Sequence, residues 1–319
     1  MNSITIDGYP VRITNPEKML WPNLEIRKID YITKLLELAP YILPHARDRL
    51  LTTIRFPDGI GGKSFYQKNI PVYAPNWVER YEWRGVQYIL LNNQATLAWL
   101  ANQAVLEFHT AFNLYQTEDY PTALVFDLDP SEGQIFDEVV DIALKVHETL
   151  HSLQIKSWVK TSGATGLQIY IPIEKKYTYE TARKLNEFFA QYFSQKFPDI
   201  VTIERIVNKR GKKLYFDYLQ MWHGKTITMV YSPRATIEAT ISMPVEWKEL
   251  EKGITPKQFH LLNVIDRLKK KGDLFSPLLS ESAKQNLDPI IQFLSKGKNE
   301  TFSADKKGLQ GSRQERGIR

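Results

Sequence analysis

Polar and apolar residues alternate along positions 4–13, a period-two pattern that predicts short strands at the start of the chain. Asn15-Pro16-Glu17-Lys18 reads as a turn or the start of a short helix. From Arg27, the residues Ile29, Tyr31, Ile32, Leu35, Leu36 and Leu38 recur at helical spacing and predict a helix ending near Pro40. Residues 50–68 predict a strand, a turn over 57–62 and a second strand carrying Phe65 and Tyr66. Strand neighbours point to opposite faces, so one of that pair is expected in the core. An Ala- and Leu-rich stretch predicts a helix over 94–108, leaving His109 at its end.

The pattern changes after residue 121. Residues 122–126 form a compact β-rich run that ends in Asp127-Leu128-Asp129-Pro130. A helix is expected over 134–153, a strand over 155–160, a loop at Ser162-Gly163-Ala164-Thr165-Gly166 and a strand over 167–171. Residues 179–197 have helical spacing, strands are expected near 201–207, 214–218 and 226–231, and a last helix near 256–271. This order predicts an α/β or α+β body with a sheet in its second half. One domain over 1–295 is expected, with an N-terminal portion to about 115 and a second portion over about 116–280. Residues 296–319 are nearly devoid of apolar side chains and are expected to be a disordered basic tail.

Charge adds less than it first suggests. The 319 residues carry a formal net charge of +6. Seven Lys/Arg against three Asp/Glu in 296–319 supply +4 of it, leaving +2 for the rest. Any affinity for nucleic acid must therefore come from local clusters of cations. There is no cysteine, which excludes disulfides, zinc–thiolate sites and thiol catalysis. No apolar run reaches the roughly 18 residues of a membrane-crossing helix, and the first residues lack a signal-peptide pattern. The expected location is the cytoplasm, in association with the nucleoid.

The candidate chemistry lies in the acidic residues. Asp127 and Asp129 sit at i and i+2 on a strand end, which puts both carboxylates on one face. Such a pair repels unless it shares a cation, and hard divalent ions with oxygen ligands fit it best. Asp217 follows a second β-rich run, and three carboxylates at strand positions suit two-metal phosphoryl transfer. A bare DxD is more often a helix cap or a turn, and a lone SGxxG is as often an ordinary turn as a phosphate-holding loop.

Their combination is more specific. Phe126–Pro130 (FDLDP), Ser162–Pro172 (SGATGLQIYIP) and Phe216–Gln220 (FDYLQ) precede Gly224-Lys225-Thr226 and Tyr231-Ser232-Pro233-Arg234. In this order the chain resembles, over about residues 5–280, the polymerase domain of bacterial ATP-dependent DNA ligase D, of the archaeo-eukaryotic primase superfamily. The resemblance implies a primase-polymerase (RRM-like) catalytic sheet flanked by helices, with an N-terminal α/β portion packed against it. It implies that Asp127, Asp129 and Asp217 bind two divalent ions, Mn²⁺ or Mg²⁺. It further implies that His109, Ser162, Gln168, Arg210, Lys225 and Arg234 hold the incoming NTP or dNTP. Lys18 and Lys28 match lysines that grip a 5′-phosphate, and Phe65 and Tyr66 match an aromatic pair that stacks on bases. The implied activity is a DNA-directed nucleotidyltransferase that fills gaps and double-strand breaks in non-homologous end joining. The implied partners are DNA with a 5′-phosphorylated gap or end, Ku and an ATP-dependent DNA ligase.

The chain departs from the usual SGxKGLH motif, having Thr165 for the basic residue and Gln168 for the histidine, and Met221 replaces the Asn that usually follows DYLQ. None of these changes touches the three carboxylates. No KxDG ligase lysine motif is present, which leaves open a free-standing polymerase or a piece of a longer chain. Three rival functions remain at this point, a de novo primase, a non-catalytic DNA-end-binding factor and a metal-dependent nuclease.

Overall fold

The alternation at the start of the chain forms a hairpin, β1 (Ser3–Ile6) and β2 (Tyr9–Arg12), turned by Asp7 and Gly8, both at positive φ. A second small ladder, β3 (Met19–Trp21) with β4 (Ile26–Arg27), leads into α1 (Lys28–Ala46). The helix does not stop at Pro40 as the sequence predicts. It passes through Pro40 and Pro44 because Leu38, Ala39, Ile42, His45 and Ala46 are all buried, and that packing outweighs the lost backbone bonds. The computed structural model describes residues 3–295, and the expected tail over 296–319 lies outside them.

Next come β5 (Leu50–Arg55), β6 (Phe65–Gln67), the hairpin β7 (Arg80–Trp83) and β8 (Val86–Leu90), α2 (Gln94–Asn102) and β9 (Val105–Ala111). The helix expected over 94–108 is therefore two elements. Asn93 caps α2 by accepting from the Thr96 N–H. Ala104, at φ +55, then breaks the chain direction, and Val105–Ala111 pairs with β5 as a strand. His109 accordingly lies within a strand, not at a helix end.

The second half contains β10 (Ala123–Asp129), α3 (Phe136–Ser152), β11 (Trp158–Thr161), β12 (Leu167–Pro172) and α4 (Tyr179–Lys196). It continues with β13 (Val201–Thr202), β14 (Leu214–Phe216), β15 (Thr226–Thr228), β16 (Pro244–Val245), α5 (Trp247–Glu251) and α6 (Val264–Lys271). The strands expected near 201–207, 214–218 and 226–231 are shorter than predicted. The helix expected near 256–271 is a 3-10 turn at Pro256–Gln258 followed by α6, because residues 259–261 bond to the backbone of Ala239 and Ile241 instead.

Two larger sheets result, the first mixed through the parallel pair β13–β14 and the second wholly antiparallel. One has the order β13-β14-β10-β12-β11-β16, and the other β15-β9-β5-β8-β7 with β6 paired to β5. Leu124, Phe126 and Leu128 of β10 are buried on the helix side, where the Phe126 ring lies 5.2 Å from Phe189 of α4 and 5.1 Å from Phe216. Asp127 and Asp129 face the opposite way, toward a pocket they share with residues of the second sheet. Residues 1–284 form one unit, and those from Gln285 a second, whose described part is helical over 288–295.

Candidate functional site

Strand register builds the acidic wall. Asp127 on β10 pairs directly with Gln168 on β12, and Gln168 pairs with Lys160 on β11. On the other side, the backbone N–H of Asp217 donates to the Asp127 carbonyl at 3.0 Å. Lys160, Gln168 and Asp127 thus form a row across three adjacent strands, which Asp217 extends from the end of β14. Asp217 does not lie within a strand, as the sequence predicts. It follows β14 and caps the 3-10 turn Tyr218–Gln220, its carboxylate accepting from the Leu219 N–H and the Tyr215 hydroxyl.

Burial pushes the Asp127 carboxyl up to about 6, with the charges of Asp217 and Asp129 adding to it and the bond from Gln168 opposing. Burial and Asp217 also raise Asp129, against the nearby Arg210 guanidinium. Like charges therefore accumulate at one strand end, only partly compensated by Arg210 and Lys160. That chemistry fits a divalent cation held by Asp127, Asp129 and Asp217. Among the described residues, however, no group of three or more His, Asp or Glu side chains is already arranged around a common metal position.

The loop between β11 and β12 is pinned from both sides. The Ser162 hydroxyl oxygen accepts from the N–H groups of Ala164 and Gly166, so the loop uses two of its own donors. A Cβ on Gly166 would lie 2.4 Å from the Leu128 carbonyl oxygen, and one on Gly163 would lie 2.7 Å from Cγ of Arg234. Glycine is required at both positions because β10 and Arg234 pack directly against the backbone.

The opposite wall centres on a residue that the sequence reading did not single out. Glu107 on β9 is buried and stands two residues from His109, on the same strand face. Its carboxylate lies 3.2 Å from His109 Nε2 and 3.2 Å from Arg234 Nε, and accepts from the Ala235 N–H. Burial alone would raise the Glu107 carboxyl, but His109 and Arg234 more than offset this and hold it below the usual range. Burial lowers the His109 imidazole despite that carboxylate. Arg234 also donates to the Ser162 carbonyl at 3.1 Å and to the Thr228 hydroxyl at 2.8 Å, which joins the two walls. Thr52, opposite His109 on β5, has a buried hydroxyl without a hydrogen-bond partner.

Between the walls lies a pocket of about 540 Å³. It is lined by Asp127, Asp129, Ser162, Gln168, His109, Arg234, Lys225 and Tyr66, with Thr52 and Lys68 beside them. Arg210 does not line it. Its guanidinium stacks 3.8 Å over the Tyr215 ring, donates to the carbonyls of Glu204 and Arg205 and stands 3.6 Å from Asp129.

Phe65 and Tyr66 are both exposed, 45% and 73%, so neither is the core residue expected from strand alternation. Strand β6 is three residues long and pairs only with β5, so neither of its faces is covered. The Arg55 guanidinium lies 5.3 Å over the Phe65 ring.

Lys18 and Lys28 stand apart from the pocket lining. Lys28 opens α1, is buried and donates to the Thr14 carbonyl at 2.8 Å, while Lys18 pairs with Asp58 at 2.8 Å. Burial, Lys18 and Arg55 together lower the Lys28 ammonium, which makes Arg55 the third member of this cationic cluster. Lys160, Glu107, Thr52 and Arg55 left no sequence signal beyond polar residues inside otherwise apolar strands.

The family model for the LigD primase-polymerase domain matches residues 27–275. The chain is 36% identical over 287 residues to the bifunctional non-homologous end joining protein LigD of Bacillus subtilis, covering 90% of this chain and 47% of that protein. It is 33% identical to the multifunctional LigD of Mycolicibacterium smegmatis, covering 84% of this chain and 36% of the relative. The chain therefore spans about half the length, or less, of these relatives. Among solved structures, the polymerase domain from Mycobacterium tuberculosis ligase D in complex with DNA superposes with a TM-score of 0.79 at 29% identity, covering 85% of this chain and 98% of that one. With the profile spanning both sheets and the pocket between them, the chain belongs to the LigD primase-polymerase domain family.

Proposed function

We propose that the protein is a DNA-directed nucleotidyltransferase that adds nucleotides to 3′ ends at gaps and double-strand breaks during non-homologous end joining. The observation that carries this reading is one pocket with a carboxylate wall, Asp127 and Asp129 with Asp217 behind them, facing a wall with the cations Arg234 and Lys225 and the His109 imidazole. A nucleoside triphosphate needs both walls, and a nuclease would not need the second. The volume lies within the range of about 300–1,000 Å³ usual for small-molecule sites.

In this reading Asp127, Asp129 and Asp217 hold two divalent ions, Mn²⁺ or Mg²⁺. Bound there, such ions supply activation of the 3′-hydroxyl and neutralisation of the departing pyrophosphate. Arg234 and Lys225 bind triphosphate oxygens, with Arg234 aimed by Glu107, Ser162 and Thr228. His109 and Ser162 orient the nucleotide, and Arg210 swings from Asp129 toward the phosphates. The exposed faces of Phe65 and Tyr66 stack on bases without regard to sequence. Lys18 and Lys28, with Arg55, take the 5′-phosphate on the far side of the gap. Ku and an ATP-dependent ligase are the expected partners, the ligase joining the ends after extension.

Primer extension on a 5′-phosphorylated gapped duplex tests the reading, with Mn²⁺ against Mg²⁺ and ribo- against deoxyribonucleotides. Asp127→Ala and Asp217→Ala are expected to abolish extension while leaving DNA binding intact. Extension retained in either variant overturns the assignment. Binding without incorporation by the unaltered protein would make it an end-binding factor, and synthesis on an unprimed single strand would make it a primase.

A further inference from the structure

Lys160 is fully buried, yet the proposed mechanism gives it no task. Its ammonium donates to Gln168 Oε1 at 2.5 Å and to the Ser242 hydroxyl oxygen at 2.5 Å. The Ser242 hydroxyl in turn donates to the Thr161 carbonyl. On the far side of the same amide, Gln168 Nε2 donates to Asp127 Oδ1 at 3.1 Å. The three residues are direct cross-strand partners on β11, β12 and β10, so sheet register alone puts them in line.

We infer that Lys160 is a positioning residue, which fixes the Gln168 amide so that its N–H holds the Asp127 carboxylate in one orientation at the metal-binding wall. The inference rests on the proposed role of Asp127 and deepens it. An amide presents an acceptor at one atom and donors at the other, and rotation about its last bond exchanges them. In the structure Oε1 faces the Lys160 amino group and the NH₂ faces Asp127, the orientation in which lysine donates and the carboxylate accepts. Without Lys160, only the Asp127 carboxylate selects the amide orientation, and Gln168 Oε1 loses the donor that anchors the amide from the far side. Packing alone does not require lysine here, since burying an ammonium costs several kcal/mol that a methionine of similar length would avoid. Gln168 itself is engaged on both sides, which makes it a link in the sheet and leaves the triphosphate to Arg234 and Lys225.

Lys160→Met, Gln168→Met, the double variant and Gln168→His in the full chain test this. Two readouts are needed: Mn²⁺ affinity without nucleotide, from the free-ion electron paramagnetic resonance signal, and steady-state extension. Groups that orient metal ligands typically carry roughly 10- to 100-fold of affinity or activity. Lys160→Met is expected to weaken Mn²⁺ binding and lower kcat by about that factor, with the KM for nucleotide changed less than about 2-fold. The double variant should be no worse than Gln168→Met. Gln168→His should lose less Mn²⁺ affinity and kcat than Gln168→Met, because a neutral imidazole also accepts at one nitrogen and donates at the other. Should Lys160→Met fail to fold, Gln168→Met alone decides between the kcat and the KM effect. A loss confined to KM, or no change in Mn²⁺ affinity in either single variant, overturns the inference. Unchanged Mn²⁺ binding and extension in Asp127→Ala would instead overturn the role of Asp127, whatever Lys160 does.

Discussion

Asp127 is held in a chemically uncomfortable place, and that discomfort can be measured. Its carboxyl titrates near 6 in the folded protein, against an ordinary aspartate value in the unfolded chain. The folded state therefore carries a penalty above about pH 6, relieved as the pH falls toward the unfolded value. The difference corresponds to about 3 kcal/mol at most. Asp127→Asn keeps the bond from Gln168 and removes the charge. It is expected to abolish extension while raising the melting temperature by at least about 2–4 °C near pH 8, with the gain shrinking below about pH 6 and vanishing toward about pH 4 in thermal melts. Glu107 makes the opposite case, since its charge compensates Arg234 and His109. Glu107→Gln should cost about 1–3 kcal/mol of stability by denaturant titration, and raise the nucleotide KM about tenfold with a smaller change in kcat.

Among the elements, the loop from β11 to β12 is the most tightly constrained. Gly166→Ala would force a Cβ against the Leu128 carbonyl, pushing the loop off β10 and Ser162 off Arg234. A stability loss of about 1–3 kcal/mol is expected, together with loss of extension beyond that explained by unfolding at the assay temperature. Denaturant curves and extension rates on the same preparation check it. This scale also shows what a sequence can and cannot convey. The acidic strand end, the glycine loop and both long helices of the second half were legible because period and turn residues agree there. Strand β9 was not, since Val105, Leu106 and Phe108 continue the apolar run of α2 and only the turn at Ala104 separates them. The persistence of α1 beyond Pro40 was decided by burial on the core, which no local signal reports. The roles of Glu107 and Lys160 could not be read, because their partners Arg234 and Ser242 come from distant parts of the chain. The exposure of both Phe65 and Tyr66 depends on β6 having no strand beyond it, a property of the sheet and not of the residues.

Over the whole molecule, the cations are sorted by place more than by number. Lys18, Lys28 and Arg55 cluster away from the residues lining the nucleotide pocket, and the pairing of Lys18 with Asp58 leaves that cluster partly satisfied. A 5′-phosphate must displace Asp58 to gain Lys18. Lys18→Ala is accordingly expected to remove most of the preference for a 5′-phosphate over a 5′-hydroxyl gap, while extension at saturating 5′-hydroxyl substrate stays unchanged. The salt dependence of DNA binding should fall by about one phosphate equivalent. Fluorescence anisotropy across a salt series measures both.

One feature of the topology bears on how such an enzyme can be taken apart. Strand β15 comes from the far half of the sequence, yet it lies along β9, with Thr228 opposite His109. Separating the chain at the connection 112–122 would therefore leave β9 with a bare edge on one fragment, and would strip Arg234 of Glu107 and His109 on the other. The pocket is complete only when the two halves meet along that ladder and at the Glu107–Arg234 pair.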